Sequence, residues 1–429
     1  MLRAAETDCL LTRYAGLFGR IPRFRMGSLW QMKERSMKGL RWALVGLGAV
    51  AFLSGCKGFW DAPTPSPTPG SASGTFYVLN QGRQQVAGFA FASGSSTPAA
   101  VTNGSATFAA VPLAMTISPN GGFLYVSTGG GIFAYSISSS GALTLLNNNQ
   151  AISSDLPTSI AVDGSGSWLL ESTSGSGVLN AIPVDASTGI VDSTRTLQTF
   201  NLPNTILTRI VSSPGNATNP YIFVAMGAGG TEVIPFTATS TTNPFGTGGR
   251  IAAKSSSGGA TSVAVDPTNR LFYVTETVAV SGTQTGGLRV FTIGTNNTVK
   301  ETSGSPYPTG GTGPSAILPT PDGNFVYVAN KAVSGSANGN ISGYPIVSSG
   351  GVYSLGTLIN TIAAGVSTVG LAEDNTKTYV LAVNSSNSNK SPDLNTYTFD
   401  TTTSGKLVAG STAATGTDPA QATAIVAVP

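Results

Sequence analysis

The sequence predicts an all-β fold, a seven-bladed β-propeller of four-stranded antiparallel blades, on three observations. An apolar run such as "FLYV", "LFYV" or "NFVYV" returns along the chain, centred at Tyr77, Tyr125, Leu169, Phe223, Tyr273, Tyr327 and Tyr379, at spacings of 44 to 54 residues. Each run has an apolar strand and a turn before it and two further strands after it. The first unit lacks its first strand, and a matching strand stands alone at the far end of the chain. Self-similarity at about fifty residues, with four short strands per unit, marks a radial β-ring.

Taken in order, residues 1–55 read as a leader. From Met37, "MKGLRWALVGLGAVAFLSGC" sets Lys38 and Arg41 before a 12-residue apolar run at 42–53. That is the length of an export-signal core and falls short of the ~20 residues that cross a bilayer. Residues 1–31 have neither feature, so Met32 or Met37 is the better initiator. Leu53-Ser54-Gly55-Cys56 resembles the lipobox of bacterial lipoproteins. The resemblance implies acylation of Cys56 and anchoring in the cell envelope, on its periplasmic or surface side. Residues 56–74 are then a spacer, in which Pro63, Pro65, Pro67 and Pro69 favour polyproline II. At ~3.1 Å per residue, 62–74 reach roughly 40 Å.

Residues 75–429 hold the propeller. First strands are expected at 114–118, 158–163, 207–212, 261–266, 315–319 and 367–372. The turns "SPNGG", "DPTNR" and "TPDGN" are hairpin corners, since Pro presets φ at the first turn position and Asn or Asp with Gly accepts positive φ. Third strands follow in "GIFAYSI", "GGLRVFTI" and "GNISGYPI", and a weaker fourth near "GALTLL". Near-continuous apolar second strands suit a sheet covered on both faces by neighbouring blades. "PAQATAIVAVP" at the C-terminus supplies the missing first strand, closing the ring and leaving no open edge. A string of β-sandwich modules is the rival architecture, but its repeats run nearer ~100 residues and need no split unit.

Charged residues are 10% of the chain, against roughly 25% in a typical soluble domain. The net charge of +3 comes from the leader, where nine basic and three acidic residues precede Cys56, leaving −3 for the rest. No basic surface tracks a phosphate backbone, which excludes nucleic acid. Cys9 and Cys56 both precede the propeller, so disulfides and thiol catalysis are excluded within it. With no histidine, Ser-His and Cys-His arrangements and most nitrogen-ligated metal sites are gone too. No calcium-loop spacing occurs, and neither metal nor cofactor is expected.

"PDGNFVYVANKAVSGSANGNISGYPI" at 321–346, "DPTNRLFYVTE" at 266–276 and "SPNGGFLYVST" at 118–128 resemble repeats of the lactonase-like seven-bladed propellers and the related YVTN surface propellers. The likeness spans 75–429 and rests on blade-building residues. It implies either hydrolysis of a lactone at one mouth of the central channel or a binding role. The family site uses histidine, arginine and glutamate, and no histidine is present here. The favoured expectation is therefore a tethered, monomeric binding or surface-interaction module with a glycan, small-molecule or envelope-protein ligand, rather than an enzyme. The alternative is a hydrolase of unphosphorylated sugar lactones.

A site is expected where second strands end on one face. Glu276 is the candidate base, with Lys331 or Arg83 to stabilise an oxyanion. Asn80, Glu171 and Asn330 are the candidate ligand-binding residues, beside long loops at 276–287, 330–340 and 384–395. Arg209 and Arg289, within strands, are expected to pair with carboxylates between blades.

Overall fold

A computed structural model describes residues 74–240, 242–280, 286–294, 298–385 and 392–429. The expected leader, Cys56 and the expected spacer, to residue 73, lie outside the described residues.

Seven antiparallel sheets follow one another. Blade one is split as expected. Its first strand, Ala422–Ala427, pairs with Thr75–Asn80 from Phe76↔Ala427 to Leu79↔Ala424, and Gln85–Ala90 lies beyond. The other six blades are contiguous, with first strands Pro112–Ile117, Ser159–Val162, Arg209–Ser212, Ala260–Val265, Thr312–Pro319 and Thr368–Glu373. Among the described residues the helices are two single 3₁₀ turns.

One hydrogen bond aligns all the blades. The N–H of the corner residue donates to the carbonyl that opens the second strand: Ser118 to Phe123, Asp163 to Trp168, Ser213 to Tyr221, Asp266 to Leu271, Thr320 to Phe325, Asp374 to Tyr379, and, across the closure, Val428 to Thr75, all at 2.8–3.1 Å. The equivalent strand centres are then Tyr77, Tyr125, Leu170, Phe223, Tyr273, Tyr327 and Leu381. Five anchors read from sequence hold, and two slip, by one residue in blade three and by two in blade seven. Tyr379 opens its strand, where its ring stacks 4.0 Å from that of Phe91 in blade one.

The cores lie between blades, because every second strand buries both faces. Two of the tyrosines at strand centres also tie blades together. Tyr77 Oη donates to the Gly141 carbonyl of blade two and Tyr327 Oη to that of Gly405 in blade seven, both at 2.7 Å. Such a phenol is apolar in body yet satisfied at its tip, as burial demands.

Candidate active site

The first strands of all seven blades line a central cavity of about 440 Å³. Counting five residues back from each corner gives Leu113, Thr158, Thr208, Thr261, Ser315, Val369 and Thr423, every one on the cavity wall. Five carry hydroxyls. Thr208 Oγ1 donates to the Ala260 carbonyl at 3.2 Å, Thr261 Oγ1 to Pro314 at 2.6 Å and Ser315 Oγ to Thr368 at 2.7 Å. Each acceptor immediately precedes the equivalent residue of the next blade. Blade two has Leu113 there, and Ser127 Oγ makes the matching bond to Pro157 at 2.8 Å. These hydroxyl protons stitch blade to blade, and the oxygens keep acceptor capacity.

One residue nearer the corner, the occupants are Ala114, Ser159, Ser262, Ala316, Gly370 and Ala424 in six blades. Crowding explains their size: a Cβ on Gly370 would meet Val383 Cγ2 at 2.8 Å. Blade four has Arg209. Its side chain is exposed to the cavity and is the sole charge among the residues lining it. Among the described residues no carboxylate lies within ion-pair range of it, so the expected pairing is not found for Arg209. The side chain is open to water at the cavity yet ringed by protein atoms, and this partial dehydration lowers its pKa from the ordinary value. A guanidinium still keeps its proton at any physiological pH. The position is an unpaired cation facing the cavity.

The residues singled out from sequence lie elsewhere. Glu276 is fully buried, its Oε1 2.9 Å from Arg289 Nη1 and its Oε2 accepting the Lys254 N–H at 2.9 Å. Arg289 also grips Glu301 through Nη2 at 2.9 Å. The expected Arg289 pairing therefore exists, but within blade five. A carboxylate held in this way fastens the segment entering its own blade and is no free base. Asn80 and Asn330, at the same position, do likewise: Asn80 Nδ2 donates to Thr415 O at 2.8 Å and Asn330 Nδ2 to Thr309 O at 2.7 Å. Arg83 Nε donates to Thr417 O at 2.6 Å, and its Nη2 to Asp418 O, at the ring closure. Lys331 is exposed on blade six, away from the cavity wall. Much of 330–340 is not loop but a hairpin continued from Phe325–Ala332 into Asn338–Ser349.

Glu171 stands apart. In the aligned blades its position holds Val78, Val126, Val224, Val274, Val328 and Ala382. It is 1% exposed, with Asn180 Nδ2 donating to Oε1 at 3.2 Å and no donor to Oε2. Burial pushes its carboxyl up to about 8, and the negative charge of Asp155 pushes the same way. It lies beside the seam of blades two and three, outside the cavity wall.

Sequence reasoning missed Arg209 as a site residue because an arginine inside a strand reads as an ion-pair partner. The signal was present once the blades are aligned on one another: a large cation in a column otherwise of Ala, Ser and Gly.

The family model "Lactonase, 7-bladed beta-propeller" matches residues 75–421. Similar solved structures include two proteins provisionally assigned as 6-phosphogluconolactonases. That from Bacteroides uniformis has a TM-score of 0.62 at 16% identity, covering 83% of this chain and 99% of the other. That from Bacteroides fragilis has 0.62 at 13%, covering 83% and 98%. The periplasmic gluconolactonase PpgL of Pseudomonas aeruginosa has 0.59 at 16%, covering 83% and 99%. No curated protein matches the sequence. Such identities bear on the fold alone, and with the family match they make this chain a member of the seven-bladed β-propeller lactonase family.

Proposed function

We propose that the chain hydrolyses an unphosphorylated sugar lactone in the central cavity, with Arg209 as the group that carries the reaction. The observation behind this reading is the unpaired guanidinium in a wall of hydroxyls. Thr158, Thr208, Thr261, Ser315 and Thr423 offer acceptors for sugar hydroxyls. Arg209 offers donors to one carbonyl. Water adds to the lactone carbonyl carbon, and the developing oxyanion faces Arg209, a fixed charge on the cavity wall. The ring C–O bond then breaks, and the leaving alkoxide takes the proton released by the attacking water. The acid so formed gives its remaining proton to solvent, and the product carboxylate pairs with Arg209. A single cation among the lining residues suits a neutral lactone better than a phosphorylated one, whose dianion calls for several.

Proton release from glucono-δ-lactone, measured against the spontaneous rate, tests this. Arg209→Ala is expected to lower kcat about 10²- to 10³-fold, the usual effect of losing one oxyanion donor. Wild-type rates in Arg209→Ala would overturn the proposal. The absence of a carboxylate among the described lining residues favours a second reading, in which the cavity holds a sugar acid without turnover. Saturable gluconate binding with no lactone turnover would select it. Export and tethering through Cys56 belong to the proposal, and Cys56→Ser is expected to move the protein from the membrane fraction to the soluble one.

A further inference from the structure

At the corner ends of the first strands a second hollow of about 500 Å³ adjoins the cavity, sharing Thr116, Leu371, Ile425 and Val426 with it. Its walls are the corner ends of first strands from blades one, two, six and seven, with Ile117, Leu318, Leu371, Val426 and Val428 among them. In the residue just before the corner, six blades have Ile117, Val162, Ser212, Val265, Pro319 and Ala427. Blade seven has Glu373, which lines this hollow together with one cation, Lys377. Glu373 is 9% exposed and its Oε2 has no hydrogen-bond partner. An unsatisfied buried carboxylate costs about 1–3 kcal/mol or more. Nothing in the blade's architecture demands one, since the other six corners form without it.

The local charge is acidic. Burial, and then Asp322 and Asp374, push the Glu373 carboxyl up to about 7, with Lys377 acting against them. Tyr327 also faces it from blade six, and Asp400 faces it across an adjoining hollow of about 200 Å³. Asp322 is committed to its own corner through Thr320 and Asn324, and Asp374 to Thr378 and Tyr379. Of these three, Glu373 alone is left with a free acceptor. An apolar hollow with one orphan carboxylate and surplus negative charge is complementary to a cation on an apolar body.

We propose that this hollow is a second ligand site, distinct from the Arg209 cavity, that takes a small organic ammonium ion with an apolar tail. The ammonium satisfies Glu373 Oε2, and the tail covers the wall of Ile117, Leu318 and Val428.

Titration calorimetry of the full chain with hexylammonium, hexanol and hexanoate tests it. Saturable hexylammonium binding is expected, with hexanol at least tenfold weaker and hexanoate undetectable. Glu373→Gln, which keeps the shape, is expected to weaken hexylammonium at least tenfold, and Arg209→Ala to leave it unchanged. Equal binding of hexanol and hexylammonium by the wild-type chain would overturn the proposal, as would no saturable binding of hexylammonium. The three probes decide between these outcomes on the wild type even if Glu373→Gln does not fold.

Discussion

Arg209, Glu171 and Glu373 are each the sole charged residue in a column that the other six blades fill with small or apolar side chains. Seven near-copies make the comparison internal: what the fold requires recurs, and these three do not. Glu171 shows the cost most directly. Its column is otherwise five valines and an alanine, so Glu171→Val is expected to fold and to stabilise the protein by about 1–3 kcal/mol at pH 8, read from urea unfolding. A loss of stability would mean that the Asn180–Glu171 hydrogen bond contributes more than burial costs. For Arg209, the product carboxylate makes an ion pair that the neutral substrate lacks. Gluconate is therefore expected to inhibit the wild type competitively, and Arg209→Lys, which lacks the planar fork, to be inhibited more weakly.

At the scale of strands and corners, the hydroxyl stitching predicts that Thr261→Val costs about 1–2 kcal/mol, because the Pro314 carbonyl loses its 2.6 Å donor while shape is kept. Tyr327→Phe is expected to cost a similar amount through Gly405. Urea unfolding of both measures this, and unchanged midpoints would mean that water replaces the lost donors. These elements were legible in the sequence because a corner, a two-faced strand and a split blade each leave a pattern in residue type. The site was less legible, for two physical reasons. Second-strand ends look free in sequence, yet Glu276 meets Arg289 across one hairpin and Asn80 meets Thr415 across the closure, 335 residues away. The centres at Leu169 and Tyr379 were also misplaced by one and two residues, and a one-residue slip exchanges the two faces of a strand. The columns that isolate Glu171 and Glu373 depend on that register.

For the molecule as a whole, the raised carboxyls set the pH dependence. Glu171 and Glu373 titrate near 8 and 7 in the folded protein, against ~4.3 in an unfolded chain. Between those values the folded state holds protons that the unfolded state releases, so stability is full below about pH 4.3 and falls as pH rises. The slope is at most about 1.4 kcal/mol per pH unit for each group. Asp185, Asp192 and Asp400, whose values are lowered by turn hydrogen bonds, act only below ~3.9 and do not offset it. The melting temperature is expected to fall from pH 5 to pH 8, and less steeply in Glu171→Val. A flat or rising profile in the wild type would refute this. Removal of residues 420–429 is expected to abolish cooperative unfolding, as followed by calorimetry.

The closure of blade one also bears on how the chain is made. Among the described residues Thr75–Asn80 is the first strand synthesised, and its partner, Ala422–Ala427, is the last. Throughout synthesis one edge of that strand is an unpaired template, open to any extended segment nearby. A circular permutant joining residue 429 to residue 74 and opened at the exposed turn near residue 402 would make both strands together. It is expected to aggregate less on refolding while keeping the same native blades.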